Sequence, residues 1–190
     1  MDNREVILQC ALELFYRRGY DAAGVQEIVE MAGITKPTMY YYYKSKLGLL
    51  EALIEEKGEL LLHRILEVQS KKLRFEEQLY QLAKVYLDFG RREHYFYFLM
   101  LGLMYSSTES EAHKAAMPFI SRQYELIIDT FVRAGDYLGN MNGRQEQFAI
   151  GFLGVINCYM MVYNEKSTEN MLSDEKIYAV VHQFLHGIYS

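Results

Sequence analysis

Apolar residues recur every three to four positions along most of this chain, the signature of helices with one buried face. In "DNREVILQCALELFYRR", residues 2–18, Ile7, Leu8, Ala11, Leu12, Leu14 and Phe15 fall on one side. Asp2 and Glu5 stand three apart, as a capping box requires, and Gly19 follows where a C-terminal cap belongs. "VQEIVEMA", residues 25–32, reads as a second, short helix ended by Gly33, a residue free to take the left-handed turn. Thr35 offers a hydroxyl as N-cap of a third helix beginning at Lys36, and Pro37 sits in its first turn, where a missing N–H costs nothing. Ser45 caps a long fourth helix, "KLGLLEALIEEKGELLLHRILEVQ". The same spacing predicts helices over 75–91, 93–105, 109–138, 143–164 and 173–189, with polar or Gly-containing joints between them. No alternating strand pattern appears. The expected fold is all-α: a three-helix unit over 1–48 containing a helix-turn-helix, joined by the long fourth helix to a helical body over 49–190.

Composition narrows the function classes. The chain has 190 residues, is 51% hydrophobic and contains two prolines, which suits one or two compact domains. A net charge of −5 counts against binding nucleic acid through bulk positive charge. Between Glu30 and Glu51, however, Lys36, Lys44 and Lys46 stand with no acidic residue, so this window carries three positive charges. "MDNREVILQC" lacks the pattern of a signal peptide, and a cytoplasmic location is expected. Cys10 and Cys158 lie in apolar helical patterns far apart, so two reduced, buried thiols are expected and no disulfide. Neither has a His nearby, and the chain shows no Gly-rich phosphate loop and no nucleophile elbow. An enzyme is the weakest class; no cofactor and no metal are expected.

The four tyrosines of "TMYYYYKSK" do not share one environment. Met39 and Tyr43, four apart, point inward, while Lys36, Pro37, Tyr40, Tyr41 and Lys44 spread over the outward arc. A helix fits the major groove of duplex DNA, so Lys36 suits guanine acceptors and Pro37 or Thr38 a thymine methyl. Tyr40 and Tyr42 carry hydroxyls suited to phosphate oxygens, Lys46 adds a point charge, and Tyr41 is the best candidate for a base contact. With Thr35, these residues form the candidate DNA-binding set. Two large exposed aromatics beside lysines on a short helix are hard to explain by packing alone.

The stretch "LELFYRRGYDAAGVQEIVEMAGITKPTMYYYYKSKLGLLEALI" resembles the tetracycline-repressor (TetR) type of bacterial transcriptional regulators. That family shows a Phe, a Gly-Tyr or Gly-Phe, an Ile-Ala pair, Ala-Gly-Val-Ser, Leu-Tyr, His-Phe and Ser-Lys in this order. Here Gly24 takes the place of the Ser or Thr cap, Val29 of the Ala, Pro37 of a common Gly, and Tyr42-Tyr43 of His-Phe. These departures bear on the DNA contacts and not on the fold. The resemblance implies a one-component regulator, with repression as its sign. It implies a homodimer on a palindromic operator, built through helices 143–164 and 173–189 as a four-helix interface across a two-fold axis, and a small molecule held in the C-terminal body.

The rest of the chain is rich in aromatic residues and Met. "YFYFLMLGLMY", 95–105, and "FAIGFLGVINCYMMVY", 148–163, are apolar nearly throughout, yet shorter than the roughly 20 residues a membrane span needs. A helix apolar all round is buried on every side. Gly151, Gly154 and Cys158 form a ridge of small side chains suited to a second helix, and Asn157 is a buried amide needing a partner. Tyr86, Phe89, Tyr97, Met100 and Met104, with Tyr105, Tyr124, Phe131, Phe152 and Tyr159, and Asn157 as the polar member, are the candidate walls of a pocket for a small hydrophobic or aromatic effector. A filled aromatic core is the alternative. His182 and His186, four apart without a third ligand, read as a solvated or interface pair. A helical protein–protein adaptor that does not bind DNA is the competing reading; it leaves the basic window without purpose.

Overall fold

The computed structural model describes residues 2–135, 141, 143–164 and 173–187, and every regular element among them is helical. In chain order they are α1 (Asn3–Arg18), α2 (Val25–Met31), α3 (Lys36–Tyr43), α4 (Lys46–Leu53), a π-helical turn (Ile54–Gly58), α5 (Glu59–Ser70), α6 (Phe75–Arg92), α7 (His94–Met104), α8 (Glu111–Ala134), α9 (Gln145–Asn164) and α10 (Asp174–His186). The expected helices are all present, with ends moved by a residue or two. The parts of two of them at 136–138 and 188–189 lie outside the described residues. The long fourth helix is one helical run, α4 to α5, carrying the π turn inside it.

Packing divides the chain into two units, Met1–Leu60 with Glu93–Ser121, and Leu61–Arg92 with Arg122–Ser190. In the first, α1 packs against α2, α4 and α7. Phe15, Ile28, Met39, Leu49, Leu50 and Phe96 lose all contact with water there, and each such side chain contributes about 1.5–3 kcal/mol of transfer free energy. Polar contacts fix the same elements. The Tyr16 hydroxyl pairs with His94 Nε2 at 3.0 Å, and the Tyr16 ring stacks on Tyr95 with centroids 4.8 Å apart. Tyr20 donates to Glu111 Oε1 at 2.6 Å, and Lys57 pairs with Glu93 at 2.6 Å. Burial pushes the His94 imidazole below its ordinary value. At the end of the π turn the Phe119 ring lies on Gly58, where a Cβ would come within 2.9 Å of it.

In the second unit α6 packs against α9 and α10. Phe131 is fully buried at the centre of a ring cluster, with Phe75 at 5.3 Å and Phe148, Phe152 and Phe184 each at 6.2 Å between centroids. The Phe148 ring is stacked and the other three are edge-to-face, and pairs of either kind add about 0.5–1.5 kcal/mol beyond burial. Gln69, deep between α5 and α8, donates to the Leu126 carbonyl and to Thr130 Oγ1, so its amide is spent on the core. Of the two thiols expected to be buried, Cys10 is, but Cys158 is exposed. The all-round apolar run of α9 leaves one face uncovered in the single chain, and Cys158 stands on it. No helix among the described residues is long and apolar enough to cross a membrane.

Candidate nucleic-acid interface

Helix α3 is short, and its inner face holds it in place. Met39 is 0% and Tyr43 5% exposed, and the Tyr43 hydroxyl donates to the Arg4 carbonyl of α1 at 2.8 Å. Burial pushes the Tyr43 phenol above its ordinary value. Pro37 lies in the first turn, as expected. Thr35 occupies the N-cap position, but its hydroxyl meets Thr38 Oγ1 at 2.9 Å and makes no capping bond to the backbone. The two hydroxyls are close enough to satisfy each other, which the spacing of the sequence did not reveal. On the outer face Tyr40 is 42%, Tyr41 75% and Tyr42 38% exposed, with Lys36, Pro37 and Lys44 also exposed and Thr38 half-buried. Tyr41 meets Tyr42 edge-on with centroids 5.2 Å apart. Three phenols and two lysines thus stand on one solvent face.

Helix α2 is presented by a different device. Its N-cap is Gly24, which has no side chain, and Glu27 reaches back to accept from the Gly24 N–H at 3.2 Å. Gly33, at φ +66°, then turns the chain toward α3.

The corner after α3 is tight. Ser45 N donates to the Tyr43 carbonyl at 2.7 Å across Lys44, whose φ is +66° and ψ −41°. This is a γ-turn of the rare, positive-φ kind, a conformation that costs free energy unless its surroundings hold it. They do: Ser45 Oγ accepts from Gly48 N at 2.9 Å and caps α4 as expected, and the Tyr43 carbonyl oxygen sits where a Cβ on residue 48 would lie 2.0 Å away. Lys46 is expected to supply a point charge to DNA at the start of α4. Its Nζ instead donates to the carbonyls of Tyr20 (3.0 Å), Ala23 (3.3 Å) and Asp21 (3.4 Å), 4.3 Å from the centre of the Tyr20 ring. Tyr20, which the sequence reading did not single out, is thereby tied to this corner; the Gly19-Tyr20 pair was the available signal.

The C-terminal candidates fall into several settings. Tyr97 and Met100 are buried and Met104 half-buried in the first unit, whereas Tyr105 is 78% exposed just past α7 and walls no interior. In the second unit Tyr86 and Phe89 are buried, Tyr124, Asn157 and Tyr159 half-buried, and Phe131 and Phe152 belong to the ring cluster. Two adjoining grooves open beside α10. One, of about 360 Å³, is lined by Gly154, Val155, Cys158, Tyr159, Val180, Gln183 and Phe184. The other, of about 170 Å³, runs between Leu87, Tyr159, Tyr163 and the Lys176 side of α10. Tyr159 borders both. A Cβ at Gly151 would touch Phe184 of the same chain at 3.6 Å, while one at Gly154 would meet nothing within 4 Å. His182 and His186 are exposed, with rings 4.3 Å apart.

Residues 7–53 match the family model described as "Bacterial regulatory proteins, tetR family". Among curated proteins, the transcriptional activator FasR of Mycolicibacterium smegmatis is 31% identical over 46% of this chain and 40% of its own length. The match thus spans well under half of that relative. Among solved structures, FadR from Bacillus subtilis in complex with stearoyl-CoA superposes with a TM-score of 0.76 at 18% identity, covering 97% of this chain and 99% of that one. AibR, in complex with isovaleryl coenzyme A and operator DNA, gives 0.72 at 20% identity over 96% and 97%. The fold is therefore shared along 96–97% of the chain, while the family model matches residues 7–53.

The γ-turn corner makes a direct test. Gly48→Ala forces a methyl group onto a backbone oxygen, and the melting point should fall by the equivalent of about 1–3 kcal/mol. Gly102→Ala, in a helix with nothing within 4 Å of the new Cβ, is the control and should be neutral or stabilising by up to about 1 kcal/mol. Equal melting points for the two variants would refute the account of the corner.

Proposed function

We propose that this chain, a member of the tetR family of bacterial regulatory proteins through residues 7–53, is a one-component transcriptional regulator, and that it acts in the cytoplasm as a homodimer on an inverted-repeat operator. The observation that carries the reading is the outer face of α3. Tyr40, Tyr41 and Tyr42 are exposed together beside Lys36 and Lys44 with no acid among them, on a helix whose inner face is locked. A packed protein has little reason to leave three aromatic rings in water unless something covers them. In this reading Tyr41 and Lys36 meet base edges, Pro37 or Thr38 meets a thymine methyl, and Thr35, Tyr40, Tyr42 and Lys44 meet the backbone. Residues 1–48 bind DNA, and residues 49–190 sense and dimerise.

The dimer face proposed is that of α9 and α10. Ile150, Met161, Val162 and Tyr178 are exposed apolar side chains on these helices, and Gly154 and Cys158 floor the larger groove. The effector proposed is hydrophobic, and the acyl thioesters held by the two solved neighbours make an acyl chain the class to test first. Phe131 and Phe152, expected as walls of its pocket, pack on Phe184, which lines the larger groove. Repression is the proposed sign, although FasR is an activator.

Three measurements test this. A binding selection on random DNA should return a symmetric site; Tyr41→Ala or Lys36→Ala should then relax discrimination by about 1–3 kcal/mol per base contact. Lys44→Gly, which suits the positive φ, should make the log–log salt slope shallower by about 0.9 per half-site. Selection of asymmetric or random sequences would end the DNA reading. For the dimer, Gly154→Arg has room in the single chain, so it should yield folded monomers by light scattering, with DNA affinity falling as the two half-sites are uncoupled; a wild-type monomer at micromolar concentration would rule the interface out. For the effector, saturating acyl-CoA of some chain length should raise the melting point and shift operator affinity roughly 5- to 150-fold, the range of a coupling of about 1–3 kcal/mol. No shift from any acyl chain between isovaleryl and stearoyl, the two held by the solved neighbours, would remove the acyl proposal.

A further inference from the structure

Lys46 stands at the first position of α4, where the helix dipole disfavours a positive charge and an acidic residue would be the better choice. What surrounds its ammonium group explains the exception. Three backbone carbonyls, those of Tyr20, Ala23 and Asp21, lie 3.0, 3.3 and 3.4 Å from Nζ, and the Tyr20 ring closes the remaining side at 4.3 Å. An ammonium has three donors, and here three acceptors meet them. The carbonyls belong to the turn between α1 and α2. Within that turn Ala23 N donates to the carbonyls of Gly19 and Tyr20, at 3.2 and 3.3 Å. The floor of the site is itself fixed: the Tyr20 ring packs on Phe15 at 5.1 Å, and its hydroxyl donates to Glu111 of α8. Burial and the neighbouring Glu111 carboxylate push the Tyr20 phenol far above its ordinary value, so it remains a donor.

We propose that Lys46 is a positioning residue for DNA recognition and not a phosphate contact. It clamps the start of α4 onto the α1–α2 turn, and with it the γ-turn and Tyr43 that end α3, so that the outer face of α3 is presented at one attitude. The proposal rests on the DNA-binding reading above and replaces the part first expected of Lys46. The clamp requires a compact, tetrahedral donor. A guanidinium is a flat fork matched to phosphates and carboxylates, so arginine serves a phosphate contact well and this site badly.

That difference supplies the experiment, made on the full-length protein. Lys46→Arg, Lys46→Met and Tyr20→Leu are compared with the wild type by thermal melting without DNA, and by operator titration over a range of salt at a temperature where all are folded. The clamp predicts lower melting points for all three. It also predicts operator affinity reduced about tenfold or more in each, with the log–log salt slope of the wild type retained, since no phosphate contact has been removed. Tyr20→Leu leaves the lysine charge in place, so its loss of affinity separates positioning from charge. The proposal is overturned if Lys46→Arg binds and melts like the wild type, or if Lys46→Met flattens the slope by about 0.9 per half-site. Should the wild type itself select no symmetric site, the DNA reading fails, and the melting points of Lys46→Arg and Tyr20→Leu still decide whether the clamp exists.

Discussion

The approach of one carbonyl oxygen to one glycine governs the N-terminal part of this molecule. Tyr43 ends α3 with its side chain buried and its carbonyl turned toward Gly48, where only a hydrogen atom fits. Beside that approach Lys44 holds a positive φ, Ser45 caps α4 and Lys46 reaches back to the turn between α1 and α2. With any side chain at residue 48 the chain would have to open, and the exposed face of α3 would lose its fixed direction relative to α1.

Four consecutive tyrosines have two fates because a helix turns about 100° per residue. Tyr43 and, one turn earlier, Met39 bring large apolar area into the core, while Tyr40, Tyr41 and Tyr42 hold theirs in water. The exposed set carries hydroxyls that solvent satisfies and rings that solvent does not. An arrangement that is costly in water and cheap against a base stack or a sugar edge is the physical content of a recognition surface.

Much of this was legible in the sequence. Period, caps and the Gly turn identified α1 to α3 to within a residue, since those signals are local. The inward pair on α3 was readable for the same reason. The Lys46 site was not, because its acceptors are backbone carbonyls more than twenty residues away, and a carbonyl leaves no mark in a sequence. The exposure of Tyr105 was not legible either, because composition ranks a tyrosine as pocket material without saying where α7 stops. Cys158 was misjudged because an apolar run implies burial without saying whether the chain itself supplies the cover. Phe131 and Phe152 show the converse: aromatic surplus was read as pocket wall, and the rings fill space against one another.

The π turn at Ile54–Gly58 has a consequence for where the Phe119 ring can rest. A π turn carries one residue more than an α turn, and this one ends on Gly58, where a Cβ would come within 2.9 Å of that ring. The bulge therefore works as an indexing device: it brings the one residue of the segment without a side chain to the spot where the ring lies, and a helix counted without the extra residue would offer the ring a neighbouring side chain instead.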